Sequence, residues 1–342
     1  MASTMRMRAP LSRPDAPEDV QARAPAVRVG LSRVGVTGVE KVVRIRDELF
    51  FARLECFVDL SHNQKGAHMS RFEEVVNEAI GEVVLTESPF RAETLARDIA
   101  ELVRERQGAA RAEVTVQARY PEHKPAPVSG VSTQEIYTLH GRAVALEGGG
   151  TRHMVGVAAT GITACPCAQE LVAARARERL AVEEGFSAEQ IERILAQVPV
   201  ATHNQRGLGT LQIGCLEGCE AEIDAKSLLE IVEGSMSSEI YELMKRSDEV
   251  EVVEKAHRRP RFVEDCVREM VAGVARAFPQ LDGGSFVSAR QENLETIHQH
   301  NVVAERHGLL AELRGELESG VPASHQTTLE EWLNDGSGTG RA

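Results

Sequence analysis

Glu113-Val-Thr-Val-Gln-Ala-Arg119 alternates polar and apolar residues without a break, and a period of two sets one face of a strand against a core and the other toward water. A Pro-rich loop follows, and Gln134 to Val144 reads as the returning partner strand. Toward the N-terminus, Leu49 to Leu60 alternates as a further strand and Ser70 to Ile80 carries apolar residues at helical spacing. Pro89 and an acidic first turn open a helix over Glu93 to Arg106, with Leu95, Ile99, Leu102 and Val103 on one face. The order strand, helix, helix, strand, strand predicts an α+β fold.

Toward the C-terminus the same order recurs with insertions. Strands are predicted over Arg152 to Ile162 and Leu208 to Cys215, helices from Ala225 through Ile231 and over Arg261 to Phe278, and a strand over Ser285 to Gln291. Two inserted helices are predicted between Cys167 and His203, over Gln169 to Glu183 and Ser187 to Ala196; Ser187 is the N-cap of the second and Gln190 its capping-box partner. The chain therefore divides into a disordered arm over 1–26, two α+β halves over 27–150 and 151–318, and a flexible tail over 319–342. The arm holds four prolines and no apolar period. The tail surrounds an isolated Leu-Glu-Glu-Trp-Leu patch that reads as a short helix or an interaction segment.

At 342 residues the chain can bury a sizeable core. A net charge of −13 argues against an extended nucleic-acid face, and 4% aromatic residues against a base-stacking platform. No apolar run reaches the eighteen residues of a membrane span, and the start lacks the apolar segment of a signal peptide. Six irregularly spaced cysteines do not make a disulfide framework. Together these features predict a cytoplasmic protein that binds neither nucleic acid nor membrane and holds any anionic ligand in a local basic pocket.

The chemistry concentrates in Gly161-Ile-Thr-Ala-Cys-Pro-Cys-Ala-Gln-Glu170 and Thr202-His-Asn-Gln-Arg-Gly207. Two cysteines around one proline do not have the spacing of a structural zinc knuckle, but Pro166 fixes the backbone and can aim one thiolate at a metal. With His203, a soft sulfur and an imidazole can share one divalent ion and leave room for water. Three other readings stand beside this one. Cys165 can be a buried structural thiol, Cys165 and Cys167 can form a thiol-based metal or redox sensor, and Cys215 with Cys219 can form a second metal clip.

Gln64-Lys-Gly-Ala-His-Met-Ser-Arg-Phe72, Ala126-Pro-Val-Ser-Gly130, Cys165-Pro-Cys167, His203-Asn-Gln-Arg206, Phe262-Val-Glu-Asp265 and Glu292-Asn-Leu-Glu-Thr-Ile-His298 follow one another in the order seen in the metal-dependent GTP cyclohydrolases, and over about 42–301 the chain resembles that family. The insertion after Cys167 makes it more similar to the archaeal type, type IV, than to the bacterial type IB. The resemblance implies a tunnelling fold, in which two tandem units per chain contribute antiparallel sheets to a barrel on oligomerisation as a dimer or tetramer. It also implies hydrolysis of GTP at C8 with loss of formate and recyclisation to 7,8-dihydroneopterin. The archaeal type gives the 2′,3′-cyclic phosphate and pyrophosphate, and type IB retains the triphosphate; either begins pterin biosynthesis, of tetrahydromethanopterin or folate.

The same resemblance implies Cys165, His203, Glu249, Glu295 and His298 as metal ligands, with Fe(II) favoured and Mn or Zn as alternatives. Glu295 and His298, three residues apart, would share a helix face. Guanine presents two parallel N–H donors that one buried carboxylate accepts, and Glu264 is the candidate; a helix-start acid is the bland alternative. Lys65, His68, Arg71 and Arg206 are the candidate phosphate ligands, and His68 and His203 the candidates for proton transfer.

Overall fold

The computed structural model describes residues 20–45, 48–85, 91–148, 150–216 and 223–334. Much of the expected 1–26 arm and the end of the expected tail lie outside them. Alternating segments dominate the sequence, and they form β1 (Leu31–Ile45), β2 (Glu48–Leu60), β3 (Arg111–Pro125), β4 (Ser132–Leu146), β5 (Gly150–Ala164), β6 (Asn204–Cys215), β7 (Ser238–Glu239), β8 (Phe286–Asn293) and β9 (Val302–Leu309). The helices are α1 (Met69–Leu85), α2 (Ala92–Gln107), α3 (Pro166–Val182), α4 (Ala188–Gln197), α5 (Ala225–Ser235), α6 (Arg246–Arg258), α7 (Val263–Ala277), α8 (Leu310–Ser319) and α9 (Leu329–Asn334). The capping box predicted for the second inserted helix is present, with the Gln190 N–H donating to Ser187 Oγ at 3.3 Å.

The α+β class is borne out, whereas the tandem-sheet barrel is not. All nine strands belong to one open antiparallel sheet in the order β1-β2-β3-β4-β5-β6-β8-β9, with β7 beside β5. The expected halves are continuous because β4 returns directly as β5, with Leu146 opposite Gly150 and the turn closed by Gly148 at φ 68°; a left-handed turn residue costs glycine little and other residues more. Period-two patterning reports which face of a strand is buried and is silent on whether neighbouring hairpins join, so sequence reading separated what the backbone joins.

One face of the sheet carries the helices. Phe72, Val75, Leu95, Ile99 and Val103 of α1 and α2 are buried against Leu54, Val114 and Val116 of the first strands. Leu228 and Val232 of α5 and Met270 and Val274 of α7 do the same over Leu211, Ile213 and Ala289. Two apolar helix faces on one apolar sheet face give a continuous core. The Leu-Glu-Glu-Trp-Leu patch forms α9; Trp332 is 2% exposed, packs on Phe286 and donates from Nε1 to Gly284 O at 3.0 Å. Among the described residues no helix is long and apolar enough to cross a membrane.

Register fixes two opposite ends of this sheet. Leu60, Arg111, Leu146, Gly150 and Cys215 lie at or near one end, and Ala164, Asn204 and Asn293 at or near the other. With 15 residues in β5 and about 3.3 Å per residue, the two ends are on the order of 45 Å apart along the strands.

Candidate active site

At the second end, the last rung of β5 and β6 pairs Ala164 with Asn204, and the ladder runs one step further. The Cys165 N–H donates to His203 O at 3.1 Å, and Thr202 Oγ1 donates to Cys165 O at 2.8 Å. Cys165 is the N-cap of α3, with extended φ −74° and ψ 117°, and Pro166 follows at the first helical position, where a missing N–H costs nothing. The Ala168 N–H donates to Cys165 Sγ at 3.4 Å, which orients the sulfur across the helix start. Cys165 is half-buried and Cys167, one step into the helix, is exposed.

His203 continues the alternation of β6, whose burial pattern sets Gln205, Gly207 and Gly209 on the covered face and Arg206 and Leu208 on the open one. Its Nδ1 lies 3.1 Å from Gln205 Oε1 and 3.8 Å from Glu295 Oε2, and Gln205 Nε2 donates to Glu295 Oε1 at 3.3 Å. The His203 and Glu295 side chains are 14% and 8% exposed. The structure thus brings Cys165, His203 and Glu295 to one strand end, with Gln205 among them.

The other expected residues stand apart from this group. Glu295 and His298 do not share a helix: 294–300 is an irregular connection between β8 and β9, held by Leu294 N donating to Arg206 O at 2.9 Å and by Thr296 Oγ1 donating to Asn204 O at 3.2 Å. The segment instead continues the pairing of β8 with β6 past Asn293 and is tied back to the β6 backbone by these bonds. His298 is exposed and stacks on His300 with 5.0 Å between ring centres. Glu249 is exposed in the first turn of α6, while Asp248 beside it is buried. Arg206 emerges on the face of the sheet opposite Gln205. Lys65, His68 and Arg71 lie at the far end, where the His68 backbone exchanges two hydrogen bonds with the Gln107 side chain and Arg71 Nη1 donates to Arg106 O at 2.9 Å. Glu264 starts α7 near the Cys165 end, since Arg261 N donates to Ala164 O at 2.9 Å. It is exposed in a groove of about 460 Å³ between α7, β9 and α8.

Asp248 escaped sequence reading although it sits between Ser247 and Glu249. Its carboxylate accepts from Val128 N at 2.9 Å, Ser129 N at 2.8 Å, Ser129 Oγ at 2.7 Å and Lys245 N at 2.7 Å. Burial alone would raise this carboxyl, but the bonds from Ser129, Lys245 and Val128 outweigh burial and hold it well below the ordinary value. Asp248 thereby fastens the Ala126–Gly130 turn beside the strand end. Its position as third residue of α6, facing back to the Lys245 amide, was the available signal.

A borderline divalent ion takes thiolate, imidazole and carboxylate donors, and Cys165, His203 and Glu295 fit such an ion in kind. The set is short of complete: among the described residues, no group of three or more His, Cys, Asp or Glu is arranged to hold a metal ion. Cys215 is buried, and Cys219, its suggested partner in a second clip, lies outside the described residues.

The structure is similar to that of uricase from Arthrobacter globiformis, with a TM-score of 0.49 and 9% identity, covering 88% of this chain and 98% of that one. The sequence is 42% identical over 310 residues to the protein named GTP cyclohydrolase MptA from Methanococcus vannielii, covering 88% of this chain and 98% of that one. It is 40% identical over 311 residues to the protein of the same name from Methanosarcina mazei, covering 87% and 96%. Residues 18–304, which carry Cys165, His203, Gln205 and Glu295, match the model of the type I GTP cyclohydrolase folE2 family, and the chain belongs to that family.

Proposed function

We propose that this chain is a GTP cyclohydrolase that opens the five-membered ring of guanine by hydrolysis at C8, releases C8 as formate and yields a dihydroneopterin, at the start of pterin biosynthesis. The observation that carries the reading is the pairing of Cys165 with His203 on one strand end, in a chain that aligns over most of its length with proteins of that name. Cys165 and His203 would hold a divalent ion, Fe(II) by preference with Mn or Zn as alternatives; when bound, such an ion supplies hydroxide near neutral pH. Glu295 borders the pair, and Glu249 and His298, exposed near this end, are the further donors available. Glu264 is the proposed guanine acceptor, because one carboxylate matches the two parallel N–H groups of that base.

The proposed product is 7,8-dihydroneopterin 2′,3′-cyclic phosphate with pyrophosphate, in keeping with the two-helix insertion α3 and α4 that sets the archaeal type apart. The proposed working form is a homo-oligomer in the cytoplasm. Lys65, His68 and Arg71 are an entire strand length from Cys165, so they reach a triphosphate bound there only from a second copy. Two sheet edges, β1 and β9, have no partner strand within the described chain.

Anaerobic incubation with GTP and Fe(II), followed by mass spectrometry, tests the reading. Formate, pyrophosphate and a cyclic phosphate are expected; a pterin that keeps its triphosphate would assign the type IB reaction. GTP left intact by metal-loaded protein would overturn the function.

A further inference from the structure

We propose that Gln205 is a positioning residue: its amide sets which imidazole nitrogen His203 offers to the site and makes Glu295 the anchor of that amide. The role rests on the reading of His203 as a site residue. Gln205 is 6% exposed, two residues from His203, so both emerge on the same side of the strand. A carboxylate only accepts hydrogen bonds, so the amide edge facing Glu295 Oε1 at 3.3 Å is the Nε2 donor. The other edge, Oε1, therefore faces His203 Nδ1 at 3.1 Å. An amide oxygen also only accepts, so Nδ1 carries the proton and the imidazole lone pair sits on Nε2.

Glu295 does not do this directly. Its Oε2 stays 3.8 Å from Nδ1, outside hydrogen-bonding range, and Gln205 stands between ring and carboxylate. The space is confined: a Cβ on Gly207, the next residue on this face, would meet Gln291 Nε2 at 2.3 Å and Asn293 Oδ1 at 3.0 Å. Of the expected ligand set, Glu295 is thereby given another role. It orients the group that orients His203, and Cys165 with His203 Nε2 is the chain's soft donor pair at this strand end.

The test uses metal-free full-length protein and two variants. Gln205→Leu keeps volume and removes both hydrogen bonds; Gln205→Glu keeps an acceptor for Nδ1 and loses the donor to Glu295. Long-range proton-nitrogen NMR on histidine-labelled protein reads the tautomer, and the His203 signals are assigned by their absence in His203→Ala. The wild type is expected as the Nδ1–H form, Gln205→Leu as a mixture of both neutral forms, and Gln205→Glu as Nδ1–H. Titration with Co(II) alone is expected to show about 10- to 100-fold weaker binding for Gln205→Leu, with much of the loss recovered in Gln205→Glu and a changed visible spectrum in the leucine variant. Protonation of wild-type His203 on Nε2 overturns the proposal. So does a Gln205→Leu protein with unchanged tautomer and unchanged Co(II) affinity. If Gln205→Leu fails to fold, the wild-type tautomer and the glutamate variant decide. Wild-type Co(II) affinity in His203→Ala would instead overturn the site reading beneath the role, a failure that the tautomer measurement keeps separate.

Discussion

Two cysteines one residue apart differ in what the helix start does to them. Cys165 Sγ receives the Ala168 N–H and the Cys165 backbone pairs with that of His203, whereas Cys167 is exposed on the first turn of α3. Cys165→Ser is therefore predicted to lose bound metal and to lower turnover by more than about 100-fold, since a hydroxyl is a poor ligand for a borderline ion. Cys167→Ser is predicted to stay near wild type; metal analysis and turnover of both variants check this, and equal losses would contradict it. Glu264→Gln is predicted to lower kcat/KM by about one to two decades with metal content unchanged. Loss of metal in that variant would make Glu264 a ligand instead. At this scale sequence spacing singled out Cys165 and His203, which lie in short contiguous motifs, and the structure pairs their backbones at one strand end. Sequence reading misassigned the geometry of Glu295 and His298 because a spacing of three suggests a helix, and the bonds from Leu294 and Thr296 that tie this irregular segment to β6 are made across the sheet. Gln205 was overlooked because an amide has no charge to mark it.

Between strands, the turn at Ala126–Gly130 depends on Asp248, a residue far away in sequence. Asp248→Asn exchanges one acceptor oxygen for a donor facing amides that also donate, so the turn is predicted to loosen. Hydrogen exchange at the Val128 and Ser129 amides is expected to accelerate while the α5 and α7 amides keep their protection; unchanged exchange at the turn would contradict the role of Asp248. The elements themselves were legible where one face is buried: β2, β3, β4, α2 and α7 match the periodicity of Leu54, Val114, Leu139, Leu95 and Val267. Elements exposed or irregular on both sides were missed. β9 alternates only between half-buried and exposed residues until Gly308, β1 changes register between Val36 and Val39, and α6 buries only Asp248, Val252 and Ala256. Such segments carry little hydrophobic signal, and pairing with a neighbour decides them.

Across the molecule, joining β4 to β5 converts two expected sheets into one, and α9 packs on it from far along the chain. Trp332 near the C-terminus fills the space over Gly214, where an added Cβ would lie 2.4 Å from its ring, and Arg152 lies over its face. Trp332→Ala is predicted to cost about 3–5 kcal/mol in urea unfolding; an unchanged midpoint would show that α9 adds nothing to the core. Near the same end, Glu113 is 4% exposed and binds Arg142 at 2.8 Å and Arg111 at 3.0 Å, with Arg33 at 3.7 Å. Burial would raise its carboxyl, but the arginine charges prevail and hold it below the ordinary value. A depressed folded-state value means that this stabilisation is present above the unfolded carboxyl pKa of about 4.3 and fades as pH falls through the folded value. Glu113→Gln is predicted to lose about 2 kcal/mol at pH 7, a figure discounted for the partial exposure of the arginines. It should also show a smaller fall in melting temperature from pH 5 to pH 3 than the wild type; parallel pH profiles would contradict the assignment. The central claim is that the strand end bearing Cys165 and His203 is where the guanine ring is opened, and GTP labelled with carbon-13 at C8 tests it most directly. Labelled formate is predicted from the Fe(II)-loaded wild type and from Cys167→Ser, and none above background from Cys165→Ser or His203→Ala. Labelled formate at the wild-type rate from folded Cys165→Ser and His203→Ala proteins would contradict it.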